Sequence, residues 1–216
     1  MSSMGDNNSI RSYYNIIANE YARDYFEELK FKPFDREILL RFCELTKNFG
    51  LVCDIGCGPG EIARFLKNFG VDVLGIDLSE EMIKEAIRLN PDILFRIGDM
   101  KKLQLNNDSL SGITAFYAIV NLTLEEVKQA IKEFYRVIKE NGHLLISFHI
   151  GDNEAVTVEK TVHKEKVFVD FRFFNIDDIL KIIEDIGFNV METIIRYPYR
   201  GVEYESKRAY ILAKKI

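Results

Sequence analysis

Three scarcities narrow what this chain of 216 residues can be. Cysteine is the first. Cys43, Cys53 and Cys57 are odd in number and form no Cys-x-x-Cys pair, which argues against a disulfide framework or a zinc site. His143, His149 and His163 are scattered without metal-ligand spacing, so no metal is expected. Long apolar runs are the second scarcity. No segment approaches the ~18 uninterrupted apolar residues of a membrane span. The first nine residues lack both a basic and an apolar stretch and do not read as a signal peptide. A cytoplasmic protein with reduced thiols is the expectation. Basic excess is the third. Lys plus Arg is 29 against 34 for Asp plus Glu, a net charge of -5, which argues against a nucleic-acid partner. No internal repeat, low-complexity segment or second-domain linker is evident. What is present is an ordinary balance, 47% hydrophobic and 29% charged, long enough for one large α/β domain.

The chain is organised around Leu51-Val52-Cys53-Asp54-Ile55-Gly56-Cys57-Gly58-Pro59-Gly60. The apolar run to Ile55 reads as a buried strand. After the glycines, Ile62, Phe65, Leu66 and Phe69 fall on one face of a helix. A strand, a glycine turn and a helix N-terminus let backbone approach a ligand closely. Gly56 and Gly58 allow that approach, and Cys57 between them could offer its backbone. Asp54 sits inside the strand, where a carboxylate needs partners. The spacing is Gly-x-Gly-x-Gly, not the Gly-x-Gly-x-x-Gly of dinucleotide binders.

Before this stretch, residues 1–9 look disordered. Ile10, Tyr13, Tyr14, Ile17, Ala18, Tyr21 and Tyr25 form a helical stripe. That helix either packs on the domain or closes over a ligand as a lid. Pro33 breaks the chain, and Asp35 is placed as the N-cap of a second helix with Ile38, Leu39, Phe42 and Leu45 on one face, ending near Gly50.

After it, strands and helices alternate. Val71–Ile76 reads as a strand ending in Asp77. Ser79 caps a helix whose apolar face is Met82, Ile83, Ala86 and Ile87. Ile93–Ile97 runs into Gly98-Asp99-Met100, and Leu110–Tyr117 is a two-sided apolar strand. Thr123 and Glu126 form a capping box for a helix carrying Val127 to Ile138 that Asn141-Gly142 ends. Leu144–Phe148 is a fifth strand leading to His149. The alternation predicts a parallel sheet with helices on both faces. Val156–Phe174 then reads as an inserted hairpin, 175–186 as a helix, and 188–197 with 207–214 as two closing antiparallel strands.

Ligands of such sheets sit at the carboxyl ends of the strands. The Gly56–Gly58 turn, Asp77 and Asp99 collect there. Asp77 suits the vicinal hydroxyls of a ribose. Asp99 suits an adenine amino group, with Met100 packed on the ring.

At this point the sequence resembles the class I S-adenosylmethionine-dependent methyltransferases over nearly the whole chain. Asp54-Ile55-Gly56-Cys57-Gly58-Pro59-Gly60 is similar to the family's first motif. Gly75-Ile76-Asp77-Leu78-Ser79 resembles the motif of its ribose-binding acid, and Gly98-Asp99-Met100 the adenine-side motif. Phe116-Tyr117-Ala118-Ile119-Val120 resembles the stretch lining its cofactor pocket. Arg136 to Leu145 is similar to its helix–turn–strand, with Glu-Asn-Gly where Pro-Gly-Gly is common. The resemblance implies a Rossmann-like, doubly wound, seven-stranded sheet whose last strand is antiparallel. It implies S-adenosyl-L-methionine as cofactor, held around Asp54, Gly56, Cys57, Gly58, Asp77, Leu78, Met82, Gly98, Asp99, Met100 and Phe116, with Tyr14 and Tyr21 covering it.

Transfer of an activated sulfonium methyl is limited largely by positioning, so no universal catalytic residue is expected. A base is needed only where the acceptor loses a proton. His149 is the candidate base, with a hydrogen-bonded structural histidine as the alternative, and Tyr117 and Asn121 are weaker ones. Asp152-Asn153 is similar to the acidic pair of metal-dependent O-methyltransferases but lacks further ligands. The acceptor wall is expected from the N-terminal helices and from Phe168, Phe171, Arg172, Phe173 and Phe174, with Tyr197 and Tyr199, which suits a small, partly aromatic or anionic molecule. The hairpin could equally bury itself on a second subunit, so monomer and homodimer both stand. The expected organisation is one domain: an N-terminal helical lid (1–49), a cofactor-binding core (50–150), the hairpin (151–174) and the closing elements (175–216). Two rival readings are a catalytically silent cofactor-binding protein acting through a partner, and a nicotinamide-dependent oxidoreductase. Glycine spacing and Asp99 count against the second.

Overall fold

A computed structural model describes residues 7–162 and 165–216. Helix α1 (Asn7–Tyr25), a 3₁₀ turn (Glu28–Phe31) and α2 (Pro33–Thr46) precede β1 (Val52–Ile55). Then follow α3 (Glu61–Asn68), β2 (Val73–Asp77), α4 (Glu80–Leu89), β3 (Leu94–Ile97), β4 (Leu110–Phe116), α5 (Leu124–Val137) and β5 (Ile138–His149). The chain closes with β6 (Ala155–Val162), β7 (Glu165–Arg172), α6 (Ile176–Ile186), β8 (Phe188–Arg196) and β9 (Arg208–Lys215). One seven-stranded sheet has the order β3-β2-β1-β4-β5-β9-β8. Its first five strands are parallel, and β9 runs antiparallel to both β5 and β8. The expected doubly wound sheet is therefore present, with β6 and β7 as a separate antiparallel hairpin.

Two cores cover the two faces of the sheet. Alternation along β5 sends Leu144, Ile146 and Phe148 into one, with Ile131 and Phe134 of α5 and Ile179 and Ile183 of α6. It sends Leu145 into the other, with Ile38, Leu39 and Phe42 of α2 and Ile62 and Leu66 of α3. Strands buried on both sides read as continuous apolar runs, which is why β1, β4 and β5 were legible. Ser79 accepts from the Met82 N–H at 3.1 Å, and Thr123 and Glu126 form their capping box.

Several local expectations fail for physical reasons. Asn7–Ser9 belong to α1, while the rest of the supposedly disordered start and the hairpin residues 163 and 164 lie outside the described residues. Pro33, not Asp35, opens α2, because a helix's first turn tolerates proline's missing N–H. Asp35 lies within that turn, 1% exposed, and accepts from Arg196 and Tyr210, both at 2.7 Å. Of the described part of the expected lid, α1, the 3₁₀ turn's Glu28 and Lys32 line the cavities described below. The α2 part of the expected lid is a layer of the sandwich. Helix α5 ends at Val137, and Asn141, with φ +63°, lies inside β5 rather than at a helix stop. Ile87 is 49% exposed, because α4 buries only Met82, Ile83 and Ala86.

Candidate active site

The glycine turn folds tightly because backbone holds it from two sides. Gly56 and Cys57 both donate to the Ile76 carbonyl, at 2.7 and 3.1 Å. Gly56 has φ +65°, and a Cβ there would stand 2.6 Å from that of Ala118. Asp54 does not reach the cavity this turn borders. Its carboxylate lies behind the turn, accepting from the Thr114 hydroxyl at 2.8 Å and the Ala63 N–H at 3.1 Å. Ala63 is in the first turn of α3, whose N-cap, Gly60, has no side chain to offer. Asp54 thus satisfies an amide that the helix leaves open. Burial pushes its carboxyl up to about 7, against the pull of those two hydrogen bonds. Cys57 is likewise displaced: its buried sulfur packs toward Gly58 and Gly75, and burial raises its thiol well above the ordinary range.

The remaining expected positions converge. Gly56, Gly58, Asp77, Leu78 and Met82 line one side of a cavity of about 110 Å³. Gly98, Asp99, Met100 and Phe116 line the other, with Tyr14 and Tyr21 of α1. Asp77 accepts from the Gly58 N–H at 2.9 Å and the Ser79 N–H at 2.8 Å, one bond on each oxygen. A carboxylate oxygen has a second lone pair, so both keep an accepting site. Burial raises this carboxyl, and the backbone N–H groups of Ser79, Gly58 and Leu78 oppose the rise. Asp99 accepts from the Lys101 N–H at 2.9 Å and from the Asn7 side chain at 2.7 Å.

The sequence reading missed Asn7, Glu28 and Glu61, all on this cavity. Glu61 is the most informative. It directly follows the glycines, where it looks like an ordinary helix-start acid. Yet its Oε2 is buried without a hydrogen-bond partner, and burial, then Glu28, raises its carboxyl well above the ordinary range. An unpaired buried acid facing a cavity is costly alone and suits a cationic ligand group.

A second cavity of about 430 Å³ adjoins the first. Tyr14, Tyr21, Glu28 and Tyr117 line both, so the two cavities meet at these four residues. Tyr117 has φ +50°, a conformation bulky residues rarely adopt, and its N–H is held by the Ser147 carbonyl and hydroxyl, both at 3.1 Å. Its hydroxyl lies 2.9 Å from that of Tyr210, which donates to Asp35. Burial raises the Tyr117 phenol, which argues against a proton-transfer role. Asn121 is spent on structure, accepting from Tyr14 at 2.9 Å and donating to the Asp170 carbonyl at 2.9 Å. His149 does line the second cavity, its Nδ1 2.7 Å from Ser206 Oγ. Burial, then Arg208 and Lys32, pushes it down to about 4.

Of the expected acceptor wall, Phe171 and Phe173 are in place. Phe174 is in the core, Phe168 is 38% exposed and Tyr197 is 72% exposed. Tyr199 donates nothing to the cavity; its hydroxyl accepts from the Phe34 N–H. Arg172 pairs with Asp170 at 3.3 Å instead of facing a ligand. Asn153 bonds Asp178 and Asn175 in a turn, and among the described residues no group of three or more His, Cys, Asp or Glu is arranged for a metal. No helix among them is long and apolar enough to cross a membrane.

Comparison with known proteins agrees with this geometry. Residues 52–142 match a methyltransferase domain family. The chain is 27% identical over 183 residues to YqeM of Bacillus subtilis, named as a methyltransferase without a stated substrate, covering 81% of this chain and 74% of the relative. It is 34% identical over 138 residues to an uncharacterized methyltransferase of Oceanobacillus iheyensis, covering 64% and 62%. Its fold is similar to a magnesium protoporphyrin IX methyltransferase of Synechocystis PCC 6803 with bound S-adenosylmethionine, at TM-score 0.72, 20% identity and full coverage of both chains. Residues 52–142 thus match a methyltransferase domain, and the fold around them is shared with solved S-adenosylmethionine-dependent methyltransferases. The matched domain and the relatives named as methyltransferases support an enzyme that transfers a methyl group.

Proposed function

We propose that this enzyme methylates a small molecule held in the 430 Å³ cavity, which meets the first cavity at Tyr14, Tyr21, Glu28 and Tyr117. The observation that carries this is the junction of the two cavities. One has the acids and glycines of a nucleoside site, and the other has room for an acceptor. The residues fit the cofactor. Asp77 would accept from the ribose hydroxyls, and Asp99 from the adenine amino group in place of Asn7. Leu78, Met82, Met100 and Phe116 would pack around the rings. Gly56 and Gly58 would let backbone approach, and Glu61 would meet the ammonium group. Asp54 and Cys57 act through the turn they support. S-adenosylmethionine supplies a methyl group already activated for transfer. What the chain adds is alignment and exclusion of water, for which α1 with Tyr14 and Tyr21 is placed as a cover. The open cavity beside the junction supports catalysis over a silent binding role.

The test is calorimetric titration with S-adenosylmethionine and S-adenosylhomocysteine, repeated on Asp77→Ala. Hydrogen bonds to a charged group contribute about 1.5–3 kcal/mol each. Losing two should weaken both ligands at least about a hundredfold. Folded wild-type protein that binds neither ligand would refute the reading.

A further inference from the structure

The charges around the second cavity cancel in pairs. Seven ionisable side chains of full charge line it: Glu20, Asp24, Glu28 and Glu203 against Lys32, Lys160 and Arg208. Lys32 meets Glu28 at 2.7 Å, and Lys160 meets Glu20 at 2.7 Å. Arg208 meets Glu203 at 3.3 Å, and Asp24 is met by Arg23 at 2.7 Å. The outer pairs are partly exposed, but Lys32, Glu203 and Arg208 are 9%, 0% and 3% exposed at the side chain. No charge is left over to receive an ionised ligand, and bringing one in would strip its water without a partner.

The rest of the wall is aromatic and aliphatic. Tyr13, Tyr25, Phe171, Phe173 and Tyr204 contribute ring faces and edges, and Val156 and Val158 fill between them. His149 stands among these rings, its centroid 5.1 Å from Tyr117, 5.7 Å from Phe173 and 6.2 Å from Tyr204. Ser206 holds its Nδ1, and among the described residues Nε2 has no hydrogen-bond partner. In a pocket of mostly apolar surface, one such atom sets the orientation of a ligand.

We propose that this cavity binds an uncharged planar aromatic acceptor that presents a hydroxyl group to Nε2 of His149. This rests on the methyltransferase reading and goes further by naming the chemical class. It also replaces the anionic option that Arg172 suggested. His149 serves here as a positioning residue whose uncharged ring accepts the hydroxyl hydrogen. Its low titration range, set by burial with Arg208 and Lys32, keeps it uncharged near neutrality.

The test uses full-length protein saturated with S-adenosylhomocysteine and reads binding by calorimetry. The probes are 2-naphthol, 2-naphthoate and 2-methoxynaphthalene. The expected result is one site for 2-naphthol and at least tenfold weaker binding of 2-naphthoate. His149→Leu should weaken 2-naphthol about fivefold, the loss of one neutral hydrogen bond, and leave 2-methoxynaphthalene unchanged. Phe171→Asp should abolish 2-naphthol binding while S-adenosylhomocysteine still binds. The proposal is overturned if 2-naphthoate binds as tightly as 2-naphthol, or if His149→Leu weakens all probes alike. It is also overturned if protein that binds S-adenosylhomocysteine takes up no 2-naphthol. Wild type that fails to bind S-adenosylhomocysteine refutes the underlying methyltransferase reading as well, so the two failures are distinguishable.

Discussion

Glu203 is the residue whose loss should cost this fold most for its place in a loop. Its side chain is wholly buried. Its two oxygens accept from Arg196 at 2.6 and 2.7 Å, and Oε2 also takes the Tyr199 N–H at 2.8 Å. Arg208 lies at 3.3 Å and Lys32 at 3.8 Å. Arg196 continues to Asp35, and Lys32 to Glu28, so three cations balance three carboxylates. Glu203→Ala would leave Arg196 and Arg208 short of a counter-charge in a site with little water. Breaking a buried pair from one side costs about 3–5 kcal/mol. For a chain of this size that is a fall in Tm of roughly 6–20 °C. Glu81→Ala is the control. It breaks the 2.6 Å pair with Lys84, whose side chains are 44% and 67% exposed, and so exposed a pair should leave Tm unchanged. Acidity checks the origin of the effect. Burial alone would raise Glu203, but the Arg196 hydrogen bonds, the Tyr199 N–H and Arg208 outweigh it and hold the carboxyl below its ordinary range. A lowered folded value gives stability present above the unfolded value of about 4.3 and lost as pH falls through the folded one. Urea melts should therefore show the gap between wild type and Glu203→Ala closing below about pH 4. A cost under about 1 kcal/mol at pH 7 would refute the claim that this network holds the β8–β9 loop against the cavity.

Two further changes probe the glycine turn and its support. Gly56→Ala adds a Cβ 2.6 Å from that of Ala118 at a φ of +65°. The left-handed conformation alone costs about 1–2 kcal/mol, so the variant should melt lower and lose S-adenosylhomocysteine affinity together. Unchanged affinity would show that the turn does not shape the cofactor cavity. Asp54 titrates at about 7 in the fold, well above the ordinary aspartate value. A raised folded value gives stability that is full below about pH 4 and lost as pH climbs toward 7. Asp54→Asn should therefore gain on wild type by about 2 kcal/mol between pH 5 and 8. Parallel stability curves for the two proteins would sink the argument.

What the sequence shows well is what neighbouring residues decide. β1, the glycine turn and α3 lie within one short stretch, and Asp77 and Asp99 each end a strand whose apolar run can be counted. Parallel strands then bring those ends together without further information, because the topology does so for any sequence of this pattern. Asp54 was a partial success. Its need for partners was plain, but that the partners would be Thr114 and a helix amide, with no face left for a ligand, required the packed sheet. Tyr117 gave no hint of its positive φ, since nothing in an apolar strand end announces it. Asp35 looked like a cap because acids usually cap, whereas its partners stand 161 and 175 residues away.

The acceptor side was read less well, and the reason bears on function. Its wall is drawn from α1, the 3₁₀ turn, the hairpin and the β8–β9 loop, far apart along the chain. Two of these segments carry a charge with no partner of their own, Glu20 in α1 and Lys160 in the hairpin, whereas Asp24 has Arg23 beside it and Arg208 pairs with Glu203 in its own loop. A reading of the hairpin alone finds Arg172 among its aromatics and admits an anionic ligand. Folding pairs Lys160 with Glu20 across two of those segments, while Lys32 and Glu28 pair four residues apart, so the cancellation is complete only in the assembled cavity. The charge an acceptor must carry is thus a property of the fold rather than of any motif. On the proposed reading, the motifs around the first cavity point to the reaction, and the paired walls of the adjoining one set which molecules can undergo it.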